Sequence, residues 1–281
     1  MVLNLPESFN LFKRDKREKD IGIRKEKRHA TIIVAKDGTG DTDDIQEAVN
    51  LLPPDGGIVH VKEGIYDITS RIFIDNDNVS INGTGRGTKI TTSENIQMIY
   101  INGKTGVIIS NLWLYGAGSG NTTNEGIFNF GGPKVKIHDV WIENCGDNGI
   151  RVSAGATSTT LVNNIIHDNF GAGIQTFVGV SLLITGNEIF DNAEHGIYLR
   201  DSWDCTINSN SSYANTDNDI ELDEISLTSA SHNLIVGNRT RDGATVGTIL
   251  IDTGVDKTVC VANVANVTDN GTGSIVANNA T

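Results

Sequence analysis

Cysteine, aromatic residues and long apolar runs are what this chain has least of. Its three cysteines, Cys145, Cys205 and Cys260, are odd in number and far apart. That excludes a disulfide framework and a zinc-type spacing, and leaves buried free thiols as the expectation. No apolar stretch approaches bilayer-spanning length, so no membrane partner is expected. The opening residues, MVLNLPESFNLFKRDKREKD, hold no apolar core followed by a small-residue cleavage site, and no secretory signal is read there. Aromatics are 6% of the chain, against 31 glycines. Such a balance suits many short strands joined by tight corners.

Charge is unevenly spread. Residues 1–30 carry nine Lys/Arg and five acids, a balance of +4, and the remainder carries −17 of the total −13. A basic arm ahead of an acidic body suits docking on an acidic protein surface, a neighbouring copy included. Phe9, Phe12, Lys13, Arg14, Lys16 and Arg17 are the anchor residues of that reading. Nucleic acid is not the expected partner, because the acidic body repels phosphate and the arm interleaves no aromatics beyond Phe9 and Phe12.

Against this background one pattern recurs. An apolar residue is followed three places on by Asn, and then by Gly-Ile or an equivalent pair. The apolar anchors are Leu161, Ile184, Ile207, Ile235 and Cys260, with Asn164, Asn187, Asn210, Asn238 and Asn263. Ile137 begins an earlier copy with Val140 in the Asn slot. The intervals from Ile137 onward are 24, 23, 23, 28 and 25 residues. A period of this size signals a solenoid, since each unit can hide its apolar face only against the next. The spacing places coils at about 78–103, 106–132, 134–155, 158–179, 181–202, 204–225, 232–254 and 257–278. Stacking them puts Ile150, Ile174, Ile197 and Ile220 in one inward column and Val152, Thr176, Leu199 and Leu222 in another. The asparagines should form a ladder at one corner, tolerating left-handed turns and satisfying neighbouring amides. Residues 1–30 are thus an arm and 31–281 one domain.

The solenoid needs a lid on its first coil. After a strand at 31–34, Ile45, Ala48, Val49 and Leu52 follow helical spacing over about 43–52. Asp43 is the expected cap with Gln46 three residues on, and Pro53-Pro54 ends the helix. Strand, turn and strand follow at Ile58–Val61 and Gly64-Ile65-Tyr66. The segment AKDGTGDTDDIQEAVNLLPPDGGIVHVKEGIYDI, through Gly38-Thr39-Gly40-Asp41, Asp43-Asp44, Ile45-Gln46, Ala48, Gly56-Gly57, Val61 and Gly64-Ile65-Tyr66, resembles the entry segment of the pectate-lyase-like superfamily. The resemblance covers residues 30–278. It implies an all-β, single-stranded, right-handed parallel β-helix, in a superfamily that includes pectin esterases, pectate lyases, alginate epimerases and phage tailspikes.

Chemistry is sought on the outward positions that alternate with the inward columns. One outward column is Arg151, Gln175, Tyr198 and Glu221. The other is Ser153, Phe177, Arg200 and Asp223, with His195 beside them. These residues have the makings of a carbohydrate groove. Glu221, Asp223, His195, Tyr198 and Arg200 are the catalytic candidates within it. A surface ion pair between Arg200 and Asp223 is the plainer expectation. Glu221 and Asp223 could flank a sugar for hydrolysis. Asn215-Thr216-Asp217 resembles the first acidic motif of polygalacturonase-type hydrolases, but that family's Gly-His-Gly and Arg-Ile-Lys motifs are absent. For elimination or epimerisation, His195 or Tyr198 would be the base and Arg200 and Arg151 would neutralise a uronate. The Asp-Pro-His-Glu motif of alginate epimerases and the Gly-Trp-Gln-Asp and Val-Asp-Phe segments of pectin esterases are absent. No metal site or cofactor is assigned. The run Asp217, Asp219, Glu221, Asp223 and Glu224 is the place where calcium would be sought.

The expectation is therefore a structural, particle-associated β-helix of decoration, fibre or short tailspike type. Its arm would grip a capsid or tail protein, its body would meet surface polysaccharide, and its location would be a virion or extracellular particle. Resemblance to tailspikes implies a homotrimer. The alternative is an enzyme on polysaccharide, a lyase, C5-epimerase or glycoside hydrolase.

Overall fold

A computed structural model describes residues 30–225, 231–241 and 248–280. The anchor residues Phe9, Phe12, Lys13, Arg14, Lys16 and Arg17 lie outside them. From Thr31 onward the chain winds as a right-handed helix of short parallel strands. One turn illustrates the rest: Thr160–Val162, Ile165–His167 and Ile174–Phe177. Strands of the first kind stack into an eleven-stranded sheet I, of the second into an eight-stranded sheet II, and of the third into a nine-stranded sheet III. Among the described residues no helix is long and apolar enough to cross a membrane.

The repeating anchors occupy the interior of sheet I. Ile137, Leu161, Ile184, Ile207, Ile235 and Cys260 are in direct register and fully buried. In sheet III the columns Ile150–Ile174–Ile197–Ile220 and Val152–Thr176–Leu199–Leu222 are also in register and buried. Burying one such aliphatic side chain contributes about 1.5–3 kcal/mol, and the core grows by a layer of them with each turn. All three cysteines are buried free thiols within it.

The Gly of the Gly-Ile pair follows from close approach. A Cβ on Gly149, Gly173 or Gly196 would sit 2.8, 2.8 and 2.6 Å from the carbonyl oxygen of Gly173, Gly196 and Asp219 in the next turn. Only a residue without a side chain lets consecutive turns close there.

The asparagine ladder forms as expected, with one correction to its cause. Asn164, Asn187, Asn210 and Asn238 each donate from Nδ2 to the Oδ1 of the next asparagine at 2.9–3.0 Å, ending on Asn263, which donates to Asn279. The left-handed residue, however, is the one before each: Asn163, Gly186, Ser209, Gly237 and Ala262 have φ of 53–67°. The ladder asparagines are there for their amides, not for their backbone. A second ladder, which the sequence reading missed, runs five residues later at the next corner. It links Asn169, Asn192 and Asn215 at 2.9 Å and stops on Asp219, 2.8 Å from Asn215.

The lid is a helix at Ile45–Leu51 whose buried face is Ile45, Ala48 and Val49. Asp44 caps it, not Asp43: its carboxylate accepts from the Glu47 N–H at 2.7 Å. Glu47 in turn accepts from the Thr42 hydroxyl. Gln46 is not part of the cap. Its side chain pairs with both backbone groups of Phe73 and ties the helix to the first strand of sheet III, Ile72–Ile74. Asp44→Ala should lower stability by about 1 kcal/mol in chemical denaturation, the usual contribution of such a cap.

Candidate functional site

The outer face of sheet III carries the expected column. Arg151, Gln175, Tyr198 and Glu221 are in register on successive turns. Phe177, Arg200 and Asp223 form the column beside it. Ser153 does not join them on the surface, being only 5% exposed. The first column also extends further than the sequence reading took it. Phe73, Tyr100 and Phe128 precede Arg151 in the same register. Tyr100 stacks on Phe73 with centroids 5.7 Å apart and meets the edge of Phe128 at 5.3 Å. Projecting the register back through Ile127 would have revealed them.

A second strip borders this face at the corner that feeds it. Backbone hydrogen bonds of 3.0–3.3 Å join Asn124, Asp147, Gly171, Glu194 and Asp217 turn by turn. One residue on, the same register brings Glu125, Asn148, Ala172, His195 and Asn218 into line. Glu125, Asp147 and Glu194 were not among the sequence candidates for this face, and Asp217 entered only through the Asn215-Thr216-Asp217 motif and the acidic run. Their signal was available, as the residues two and three places before each column isoleucine. It was hidden by reading the face as starting at the Gly-Ile pair.

The charges on this surface are held close to one another. Glu125, with its side chain 1% exposed, meets Arg151 at 2.9 Å. Burial raises the Glu125 pKa, opposed by Arg151. Burial likewise raises Asp147, again opposed by Arg151, and Glu194, opposed by His195. His195 lies between two carboxylates, with Nδ1 3.4 Å from Glu221 and Nε2 3.8 Å from Asp217. Its ring centroid is 4.3 Å from that of Tyr198. The Tyr198 hydroxyl donates to Asp223 at 2.8 Å, and burial together with that bond pushes its pKa well up. The phenol is thus a donor here, holding its proton.

Arg200 and Asp223 do not form the expected ion pair among the described side chains. Arg200 instead lies over the rings of Phe177 and Tyr198, 5.7 and 5.5 Å from their centroids. Neither do the acids of the 217–224 run share one environment. Asp219 turns into the corner toward Asn215 and Ser212, Glu221 accepts from Asn218 at 2.7 Å, and Asp223 takes Tyr198. Between the Arg151 and His195 ends of the face lies Gly171-Ala172-Gly173, a run of small residues that is buried. A Cβ on Gly171 would stand 2.7 Å from Asp147 Oδ1, so that carboxylate leans over the glycine.

A separate groove of about 580 Å³ opens at the outer edge of sheet II, lined by Tyr115, Glu143, Asp168, Phe170 and Asp191 among others. Beside it His167, Phe190 and Tyr213 stack at 4.6 and 5.0 Å, and Arg241 covers Tyr213 at 4.5 Å. Those rings face one another, so they offer edges and not faces to a ligand. Glu143, His167 and Asp168 hold donor atoms within 4.8 Å of one another, close enough for a cation in principle. His167 Nδ1 is committed to Asp168 at 2.7 Å, and its Nε2 is 3.4 Å from Glu143.

Comparison with known proteins agrees with the winding. A family model described as right handed beta helix region matches residues 57–211 and 97–281. The ORF18 protein of Geobacillus virus E2 superposes with a TM-score of 0.61 at 14% identity, over 98% of this chain and 63% of that one. The Dettilon tailspike protein superposes with a TM-score of 0.62 at 17% identity, over 88% of this chain and 59% of that one. At such identities the likeness is one of fold, and the chain spans about three fifths of each virus protein. A putative pectinesterase/pectinesterase inhibitor 38 of Arabidopsis thaliana is 38% identical over 68 residues, which is 22% of this chain and 14% of that protein. Coils in register, a corner ladder of amides and a family match across most of the length lead to one assignment: the chain belongs to the right-handed β-helix family.

Proposed function

We propose that this is a particle-associated β-helix protein, of virion decoration, fibre or short tailspike type, that binds surface polysaccharide along the outer face of sheet III. Its basic arm grips a capsid or tail protein, and copies assemble as a trimer. One observation carries the binding face. Among the described residues, nine buried side-chain nitrogen or oxygen atoms have no hydrogen-bond partner, and five of them belong to this surface: Oε1 of Gln97, whose side chain bonds Glu125, with Glu125 Oε2, Arg151 Nε, His195 Nδ1 and Arg200 Nε. Buried polar atoms are otherwise almost always paired. Their concentration on one face, next to half-buried aromatic rings, suits a ligand rich in hydroxyl groups. Six carboxyl groups against the three guanidiniums of Arg71, Arg151 and Arg200 on the surface favour a neutral glycan over a polyuronate, because like charges repel.

Titration of the full chain with bacterial capsular and O-antigen polysaccharides, alginate and polygalacturonate tests this reading. Binding to a neutral polymer should weaken about tenfold or more in Arg151→Ala, since a charge-assisted hydrogen bond contributes about 1.5–3 kcal/mol. Unchanged affinity in that variant, or preference for the polyuronates, would count against the face. Removing residues 1–30 should leave glycan binding intact while abolishing capture of the chain by particles. Retention on the particle would count against the anchor.

A further inference from the structure

On the outer face of sheet II, His167 stands between two carboxylates and is hydrogen-bonded to only one of them. It is in register with Glu143 on the preceding turn. Its Nδ1 lies 2.7 Å from Asp168 Oδ2. A carboxylate oxygen accepts, so Nδ1 carries the proton of that bond. In the neutral ring Nε2 is then a bare lone pair, and Glu143 Oε2 lies 3.4 Å from it. That is longer than a hydrogen bond of good geometry, and two lone pairs set against each other repel. The arrangement calls for a positive charge between the two atoms.

The spacing suits a metal ion. Two donors held about 2.0–2.2 Å from a tetrahedral ion stand about 3.3–3.6 Å apart, and Glu143 Oε2 and His167 Nε2 already have that separation. Asp168 occupies the place of the outer carboxylate that commonly holds the second nitrogen of a metal-bound histidine, fixing its tautomer and orientation. Phe190 stacks on the imidazole with centroids 4.6 Å apart and planes 10° from parallel, which holds the plane of the ring. Glu143 also lines the groove of about 580 Å³, so an ion can enter there and keep water on its remaining positions. Two other histidines lack part of this arrangement. His138 makes the same bond to Asp139 at 2.7 Å, but its register neighbours are Ser110 and Val162, not acids. His195 lies 3.4 and 3.8 Å from its two carboxylates, without the short bond that fixes His167.

We infer that Glu143 and His167 are the protein ligands of a divalent transition-metal ion of the zinc class, with Asp168 as the positioning residue behind the imidazole. An imidazole ligand selects against calcium and magnesium, which take oxygen donors. The ion ties the strand Trp141–Glu143 to the strand Ile165–His167 one turn on. The site is separate from the glycan face proposed on sheet III and does not depend on it.

Calorimetric titration of the full chain with Zn²⁺ alone and with Ca²⁺ alone tests this, together with the ring nitrogen signals of the six histidines in NMR spectra. One Zn²⁺ should bind per chain and Ca²⁺ should not displace it. The Nε2 signal of His167 should move on titration while its Nδ1 stays protonated. His167→Gln should abolish the binding. Asp168→Asn should weaken it about 10- to 100-fold, the usual effect of losing such an outer carboxylate, and Glu143→Gln at least as much. His138→Gln should leave it unchanged. If a variant fails to fold, the His167 signals of the parent chain still decide. Absence of Zn²⁺ binding, equal binding in His167→Gln or a preference for Ca²⁺ would overturn the site. So would a His167 ring that keeps both nitrogens protonated in excess Zn²⁺, because the charge between the carboxylates would then be a proton.

Discussion

Asp219→Asn should melt higher than the parent protein at about pH 8 and lower than it at about pH 4. The second amide ladder ends on this carboxyl. Asn215 donates to its Oδ1 at 2.8 Å and Ser212 lies 3.3 Å away, while its Oδ2 is buried with no partner. Burial pushes the Asp219 pKa from 3.8 up to about 7, against the lowering effect of those two hydrogen bonds. Between these values the folded state holds a proton that the unfolded state has released. Stability therefore falls as pH rises from about 4 to about 7, by on the order of 4 kcal/mol for a displacement of that size. An amide carries no such titration. It leaves one buried N–H unpaired, at a cost of about 1–3 kcal/mol, so the net gain at the higher pH should be about 1–3 kcal/mol. Thermal melts across pH would show the two curves crossing between about pH 4 and about pH 7 and keeping a constant separation above that. A constant offset at all pH values, or a variant weaker at pH 8, would mean that the carboxylate is ionised and satisfied.

The first ladder should respond in the opposite direction. Asn187 accepts from the backbone N–H and the Nδ2 of Asn164, and donates to the Leu161 carbonyl at 3.0 Å and to Asn210 at 2.9 Å. All of these atoms are shielded from water, Asn187 itself being 1% exposed. Asn187→Ala leaves donors and acceptors on both neighbouring turns without partners. The loss should be about 3–5 kcal/mol, the upper range for a single buried polar deletion. Turns of a solenoid contact only their neighbours, so faster amide exchange should concentrate at 161–164 and 207–210 before it spreads. Asn208→Ala, at a half-exposed outward position in register with Thr185, should change stability by less than about 0.5 kcal/mol. Equal effects of the two substitutions would mean that the ladder contributes little.

The two ladders also show how far a sequence can be read. The first was legible because Leu161-x-x-Asn164 and its copies recur with one period, and a recurring buried amide needs a partner that only its own copy can supply. The second, Asn169, Asn192 and Asn215, carries the same period but spans only three copies, too few to stand out from a chain rich in Asn. Asp44 took the cap from Asp43 by one residue. Two adjacent acids look alike in sequence, and only the backbone geometry before Ile45 decides which carboxylate can reach the Glu47 N–H.

The outward columns were legible for a similar reason. Once Ile150, Ile174, Ile197 and Ile220 share a register, the residues between them must alternate outward, and Arg151, Gln175, Tyr198 and Glu221 do so. How those side chains pair was not legible. Arg200 prefers the rings of Phe177 and Tyr198 to Asp223, and Asp223 takes the Tyr198 hydroxyl, because rotamers and shared neighbours settle a contest that spacing leaves open. The sequence by itself determined the winding, the apolar interior and the corner amides, since these follow from a period that must be satisfied turn against turn. Only the folded chain shows that Asp147 leans over Gly171, that Glu125 is buried against Arg151, and that Asp219 ends a ladder with one oxygen unpaired. Each of these depends on which side chain is missing one turn away, and a distance across turns is set by the stacking of backbones, not by the order of residues along the chain.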